Sequence, residues 1–146
     1  MPKATLTDVL IELHVPNFKP VKEFYSQLGF QVVWERQAHK QNGYLVLKRE
    51  KTILCFYCGS DQVYQHAYFK RFSQSSPKGY AVEISIPAKN IDRFYCQILK
   101  KLDKKYLIEP MVVKPYDLNP KKDFRLKDPF GFYLCFHEPY DIMYKE

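Results

Sequence analysis

Apolar and polar residues alternate with a period of two over residues 9–16. Val9, Ile11, Leu13 and Val15 fall on one face, and Leu10, Glu12 and His14 on the other. The pattern predicts a strand, broken by Pro16-Asn17-Phe18-Lys19-Pro20. Val21, Phe24, Tyr25 and Leu28 then recur at helical spacing up to Gly29, which predicts a short amphipathic helix. Strands are predicted over 30–36, 43–48 and 52–57, so the first third of the chain reads βαβββ.

The signals weaken over 59–78. Val63, Ala67 and Phe72 predict a loose helix, and Ser73-Gln74-Ser75-Ser76-Pro77 reads as a linker. The pattern then restarts, with a strand over 80–87, a helix over 91–102, a strand over 109–114, a loop over 115–120 and a strand over 122–127. Asp128-Pro129-Phe130-Gly131 is a turn signal, because proline pre-sets one backbone angle and glycine accepts a positive φ. The return strand, 132–137, puts Phe132, Leu134 and Phe136 on one face and Tyr133, Cys135 and His137 on the other. The all-apolar face belongs against a hydrophobic layer. The face with the phenol, thiol and imidazole belongs in a different setting, which bears on function.

The restart is an internal repeat. Ile11-Glu12-Leu13-His14-Val15-Pro16 aligns with Val82-Glu83-Ile84-Ser85-Ile86-Pro87, and Leu54-Cys55-Phe56 aligns with Leu134-Cys135-Phe136. Phe24-Tyr25-Ser26-Gln27 aligns with Phe94-Tyr95-Cys96-Gln97, one residue out of step. Within this alignment Glu12 and Glu83 are equivalent.

Composition bounds the rest. A chain of 146 residues with 46% hydrophobic residues makes one compact domain or two small modules sharing a core. No apolar run approaches the roughly 20 residues that span a bilayer, and the N-terminus has no apolar signal region, so a cytoplasmic location is expected. Cys55, Cys58, Cys96 and Cys135 sit among apolar residues and read as buried free thiols. Cys55 and Cys58 have Cys-x-x-Cys spacing, but within a strand that spacing points the thiols to opposite faces, and no second pair completes a four-thiolate site. The formal charge of +7 favours an anionic partner without identifying one. The lysines at 100–101, 104–105 and 121–122 form no concentrated stripe, so nucleic acid ranks last among partners.

Two βαβββ modules, a Phe-Tyr helix ending in Leu28-Gly29-Phe30 and a terminal Asp-Pro-x-Gly hairpin resemble the vicinal oxygen chelate superfamily. That group contains glyoxalase I, extradiol dioxygenases, fosfomycin-resistance enzymes and bleomycin-resistance proteins. The resemblance covers residues 9–139. It implies an α+β fold of two tandem βαβββ modules, forming cup-shaped mixed sheets with helices on the outer face. Module one would span about 8–58, a linker 59–78, module two about 79–138 and a tail 139–146. It also implies a homodimer.

In the enzymatic branches of that superfamily a divalent metal sits in the cup. By register, the ligand positions fall at Leu10, Cys55, Ala81 and Cys135. Leucine and alanine cannot ligate, and a catalytic zinc needs about three protein ligands. The resemblance therefore implies the metal-free, bleomycin-resistance-like branch: no metal, no cofactor and no catalytic residue. The expected ligand-binding residues are Glu12, His14, Trp34, Cys55, Glu83, Ser85, Tyr133, Cys135 and His137. An aromatic or antibiotic-like small molecule would be sequestered or recognised between side chains such as Trp34 and Tyr133, with Glu12 and Glu83 as polar anchors. Bleomycin itself is cationic, and a chain at +7 repels it at long range unless the cup is locally acidic. The alternative is a metal-dependent lyase or dioxygenase with a shifted site at Glu12, His14, Glu83 and His137. Metal-free acid–base work by Glu12 and Glu83, with His14 or His137 as base, is a further option. Cys135 has no basic residue beside it in sequence to make it a nucleophile.

Overall fold

The computed structural model describes residues 9–37, 43–57, 65–113 and 122–139. Cys58, Val63, the 115–120 loop, the N-terminal residues 1–8 and most of the tail lie outside the described residues.

The elements run β1 (Glu12–His14), α1 (Phe18–Gln27), β2 (Gln31–Arg36), β3 (Tyr44–Arg49), β4 (Thr52–Tyr57), β5 (Glu83–Pro87), α2 (Ile91–Lys101), β6 (Leu107–Val113), β7 (Lys122–Lys127) and β8 (Tyr133–His137). They build two four-stranded mixed sheets, ordered β1-β4-β3-β2 and β5-β8-β7-β6. In each, the first strand pairs in parallel with the last and the remaining pairs are antiparallel. The fold is α+β with a duplicated sheet topology, as the repeat implies.

The chain divides into two compact units, Met1–Phe18 with Phe30–Gln74, and Lys19–Gly29 with Ser75–Glu146. Nearly all of α1 thus belongs to the unit that holds the second sheet. Its apolar stripe is real: Val21, Phe24, Tyr25 and Leu28 are all buried. The helix stops where expected, since Gly29 takes φ +86° and its N–H donates to the Ser26 carbonyl at 3.0 Å. In the same unit, Phe94 on α2 packs edge-on against Phe136 at 5.1 Å between ring centroids, and Phe124 stacks on Phe136 at 5.5 Å. In the first unit, Leu13, Leu45, Leu47, Leu54 and Phe56 form the buried face of the sheet.

Several boundaries differ from the sequence pattern. The first strand is only three residues long, and Val9, Leu10 and Ile11 are exposed. Among the described residues of the 59–78 segment, a 3-10 turn at Phe69–Arg71 lies where the loose helix is expected. Residues 80–82 leave the strand for a turn in which Ala81 takes φ +60° and the Val82 N–H bonds the Gly79 carbonyl at 3.0 Å. Cys96 lies exposed on α2, whereas Cys55 and Cys135 are buried as expected; all three are free thiols.

The repeat holds, but its internal alignment shifts. Val15 N–H bonds the Tyr57 carbonyl, and Ala88 N–H bonds the His137 carbonyl. Glu12 pairs with Cys55, and Ser85 with Cys135. The structural equivalent of Glu12 is therefore Ser85, and that of Leu10 is Glu83, two residues from the sequence alignment. The position assigned to Ala81 by register belongs to Glu83.

Candidate functional site: the polar faces of the two sheets

Each sheet has one buried apolar face and one polar face, and cross-strand register defines rows of side chains on the polar side. In the first unit one row runs Glu12, Cys55, Val46, Trp34, and the next runs His14, Tyr57, Tyr44, Arg36. In the second, the matching rows are Ser85, Cys135, Arg125, Glu109 and Pro87, His137, Asp123, Val112. Glu83 and Tyr133 stand one row further along.

In the first unit the Tyr44 hydroxyl donates to Glu12 Oε1 at 2.6 Å. Burial first, and then hydrogen bonds with Cys55 and Glu12, raise the Tyr44 phenol above its ordinary range, so it remains a donor. Trp34 is half exposed, 6.1 Å from the Tyr44 ring, and the Arg36 guanidinium lies 5.9 Å above its face. His14 packs against Tyr57 at 5.0 Å, His66 at 5.3 Å and Phe69 at 4.8 Å. The 3-10 turn thus rests against the end of this polar face, with His66 Nδ1 accepting the Tyr68 N–H at 3.1 Å.

Arg125 organises the polar face of the second unit. Its Nη1 contacts Asp123 Oδ1 at 2.9 Å and Glu109 Oε2 at 3.2 Å, and its Nη2 lies 3.6 Å from Glu83 Oε1. Burial opposes its charge, but the carboxylates of Asp123, Glu83 and Glu109 outweigh that and hold the guanidinium protonated. Ser85 Oγ donates to Glu83 at 3.4 Å. Burial pushes the Cys135 thiol up to about 12; Arg125 opposes the rise, and Glu83, Asp123 and a hydrogen bond to Glu83 add to it. His137 is buried, and its Nδ1 lies 2.6 Å from the Glu138 carbonyl, which can only accept, so the proton sits on Nδ1.

Beside these rows lies a cavity of about 430 Å³ lined by Lys78, Tyr80, Ala81, Glu83, Gly131 and Tyr133, among others. Two expected ligand residues, Glu83 and Tyr133, therefore share a cavity. Glu83, Ser85, Tyr133, Cys135 and His137 share one polar face, and Glu12, His14, Trp34 and Cys55 share the other. Sequence reasoning missed Arg125, Glu109 and Asp123, which join the first group, and Tyr44, which engages Glu12.

The donor chemistry does not fit the metal that the resemblance implies for the enzymatic branches. Among the described residues, no three His, Cys, Asp or Glu side chains gather as a metal site. Glu83 and Cys135 are close, but burial and the neighbouring carboxylates disfavour the Cys135 thiolate in the chain as it stands. The carboxylates of Glu83, Glu109 and Asp123 converge on a guanidinium instead.

The architecture matches solved structures across most of the chain. A bleomycin-binding protein complexed with bleomycin aligns with TM-score 0.59 and 17% identity, over 92% of this chain and 100% of that one. A bleomycin resistance determinant encoded on the transposon Tn5 aligns with TM-score 0.60 and 18% identity, over 91% and 98%. The chain has the glyoxalase/bleomycin-resistance fold. A glyoxalase family protein from Enterococcus faecalis shares that fold, with TM-score 0.59 and 22% identity over 94% and 100% of the two chains. No protein-family model and no curated protein matches the sequence. Among the described residues, no helix is long and apolar enough to cross a membrane.

Proposed function

We propose that this chain is a small-molecule-binding protein that sequesters or recognises an aromatic or antibiotic-like ligand on the polar faces of its sheets, without a metal. The observation that carries the reading is the second unit's polar face, where Glu83 and Tyr133 border the 430 Å³ cavity and Glu83 also joins the Arg125 cluster. A cavity of that size with aromatic walls and a few fixed polar groups suits one small organic molecule. Three carboxylates around one guanidinium support a locally acidic surface on a chain of net charge +7, so a cationic group on the ligand is tolerated there. The expected assembly is a cytoplasmic homodimer. The likeness in fold to proteins described as bleomycin-binding supports the class of function.

A thermal-shift screen of aromatic and glycopeptide compounds, bleomycin included, tests this reading. A concentration-dependent rise in Tm with one compound or more supports it. A flat response across the panel removes it. Elemental analysis of untagged protein tests the metal clause, and a stoichiometric divalent ion would overturn it.

A further inference from the structure

We propose that residues 66–72 form an acid-released strap over one end of the polar face of the first unit, closed while His66 is neutral and opened when its ring takes a second proton. The inference names a regulation of the ligand-binding face, and to that extent it rests on the binding reading.

Two attachments hold the strap, and both run through imidazoles. The Phe69 ring lies 4.8 Å from the His14 ring of β1 and 4.6 Å from that of His66, between centroids. His66 itself meets His14 at 5.3 Å, and His14 meets Tyr57 of β4 at 5.0 Å. Phe69 thus adds a ring to the end of the row His14, Tyr57, Tyr44 and covers part of the aromatic surface there. The second attachment is polar. His66 Nδ1 accepts the backbone N–H of Tyr68 at 3.1 Å and of Phe69 at 3.4 Å, and the His66 carbonyl accepts that of Lys70 at 2.9 Å.

Burial adds little to these contacts. No residue of the Phe69–Arg71 turn is buried, and Tyr68 and Phe72 are about half exposed. The Arg71 guanidinium lies over the Tyr68 ring at 4.0 Å and the Phe72 ring at 5.3 Å, so it braces the strap against itself and not against the sheet. Segments with few buried contacts are the first to open.

A second proton on His66 removes the polar attachment. In the neutral ring Nδ1 accepts while Nε2 carries the proton, but both nitrogens of an imidazolium are donors. Protonated His66 then sets an N–H against the two N–H groups of Tyr68 and Phe69. The ionisable groups packed about this ring are His14 from β1 and, behind it, Tyr57 from β4; on the strap they are Tyr68, Lys70 and Arg71. None is a carboxylate, and Glu12 in the neighbouring row already accepts from Tyr44 at 2.6 Å. The new charge gains no counter-ion from these groups and faces a second imidazole at 5.3 Å. The open strap therefore takes up the proton more readily than the closed one, so closure is lost as pH falls through the range where histidines titrate.

The test records amide and nuclear Overhauser spectra of the ligand-free full chain on either side of that range, at about pH 7.5 and about pH 5.5, beside a His66→Asn variant with the wild-type melting temperature. Asparagine keeps an acceptor suited to backbone N–H groups just ahead of it and does not titrate. The expected result is a several-fold loss of Phe69–His14 ring cross-peak intensity in acid, with the Tyr68 and Phe69 amide protons moving upfield, and neither change in His66→Asn. Equal cross-peaks at both pH values in the wild-type chain would overturn the inference, as would the same loss in His66→Asn. A thermal-shift screen of the aromatic panel at both pH values separates this inference from the binding reading. Opening in acid with no compound shifting Tm would retain the strap and remove the binding reading. Clear thermal shifts with an unmoved strap would do the reverse.

Discussion

Tyr25 donates a hydrogen bond to Asp128 Oδ2 at 3.0 Å, tying the last turn of α1 to the turn between β7 and β8 across 103 residues of sequence. Both groups are buried. The other carboxylate oxygen accepts the Phe130 and Phe132 N–H groups at 2.9 Å each, so one side chain shapes the hairpin and holds the helix. Removing the hydroxyl leaves a buried carboxylate short of a donor, which costs about 1–3 kcal/mol. Tyr25→Phe is expected to lower the unfolding free energy in urea by that amount with an unchanged m-value.

Asp128 also gives the fold a pH dependence. Burial raises its carboxyl to about 6, against opposing hydrogen bonds from Phe132, Tyr25, Phe130 and Gly131, where the ordinary value is 3.8. Between those values the folded chain holds more proton than the unfolded one, so this group's contribution to stability falls as pH rises from about 4 to about 6. The full change is about 3 kcal/mol. Unfolding free energies measured across that window are expected to carry this downward component, and Asp128→Asn is expected to remove it. An unchanged pH profile in the variant would contradict the assignment.

The polar face of the second unit makes a separate prediction. Arg125 is the common partner of Glu83, Glu109 and the buried Asp123. Arg125→Met leaves Asp123 buried without its cation and is expected to cost about 3 kcal/mol in chemical denaturation. Adding Asp123→Asn is expected to restore part of that loss, because the two changes act on one ion pair. Purely additive losses would show that the pair is not coupled.

These clusters also mark where sequence reasoning reached its limit. The alternation Tyr133, Cys135, His137 announced a polar face, and the structure has one, because strand parity is a local property. The Glu12–Glu83 equivalence failed for the same reason: a strand alignment that slips by two keeps every residue on its face, so the pattern cannot detect the slip. Arg125 was invisible in Lys122-Asp123-Phe124-Arg125-Leu126-Lys127, where it resembles one more solvated cation. Only pairing with Cys135, and through it with Ser85, brings it to the centre. Tyr25 looked like core for similar reasons, since its hydroxyl's partner lies more than a hundred residues away.

Backbone conformation at the cavity wall predicts unequal effects at neighbouring positions. A Cβ on Gly79 would sit 2.8 Å from Phe132 Cδ1, at a φ of +71° that side chains rarely adopt. Gly79→Ala is expected to destabilise by about 1–3 kcal/mol. Ala81 already carries φ +60°, so Ala81→Gly relieves strain while adding chain entropy, with a net effect within about 1 kcal/mol. Thermal unfolding of the two variants checks the contrast.

Thiol chemistry follows burial. Cys96 is exposed, while Cys55 and Cys135 are buried and burial pushes the Cys135 thiol to about 12. Peptide mapping after a short iodoacetamide pulse is expected to find Cys96 alkylated and both buried residues protected until denaturant is added. Rapid alkylation of Cys135 in the folded chain would contradict its protonated, enclosed state.

The most direct measurement of the central claim is a calorimetric titration of chelator-treated protein with the best aromatic compound from the thermal screen, alongside Tyr133→Ala and Glu83→Gln. The account predicts saturable binding to the wild-type chain, unaffected by the chelator and weakened about tenfold or more by loss of the Tyr133 ring. Binding that disappears with the chelator, or that both variants retain in full, would contradict it.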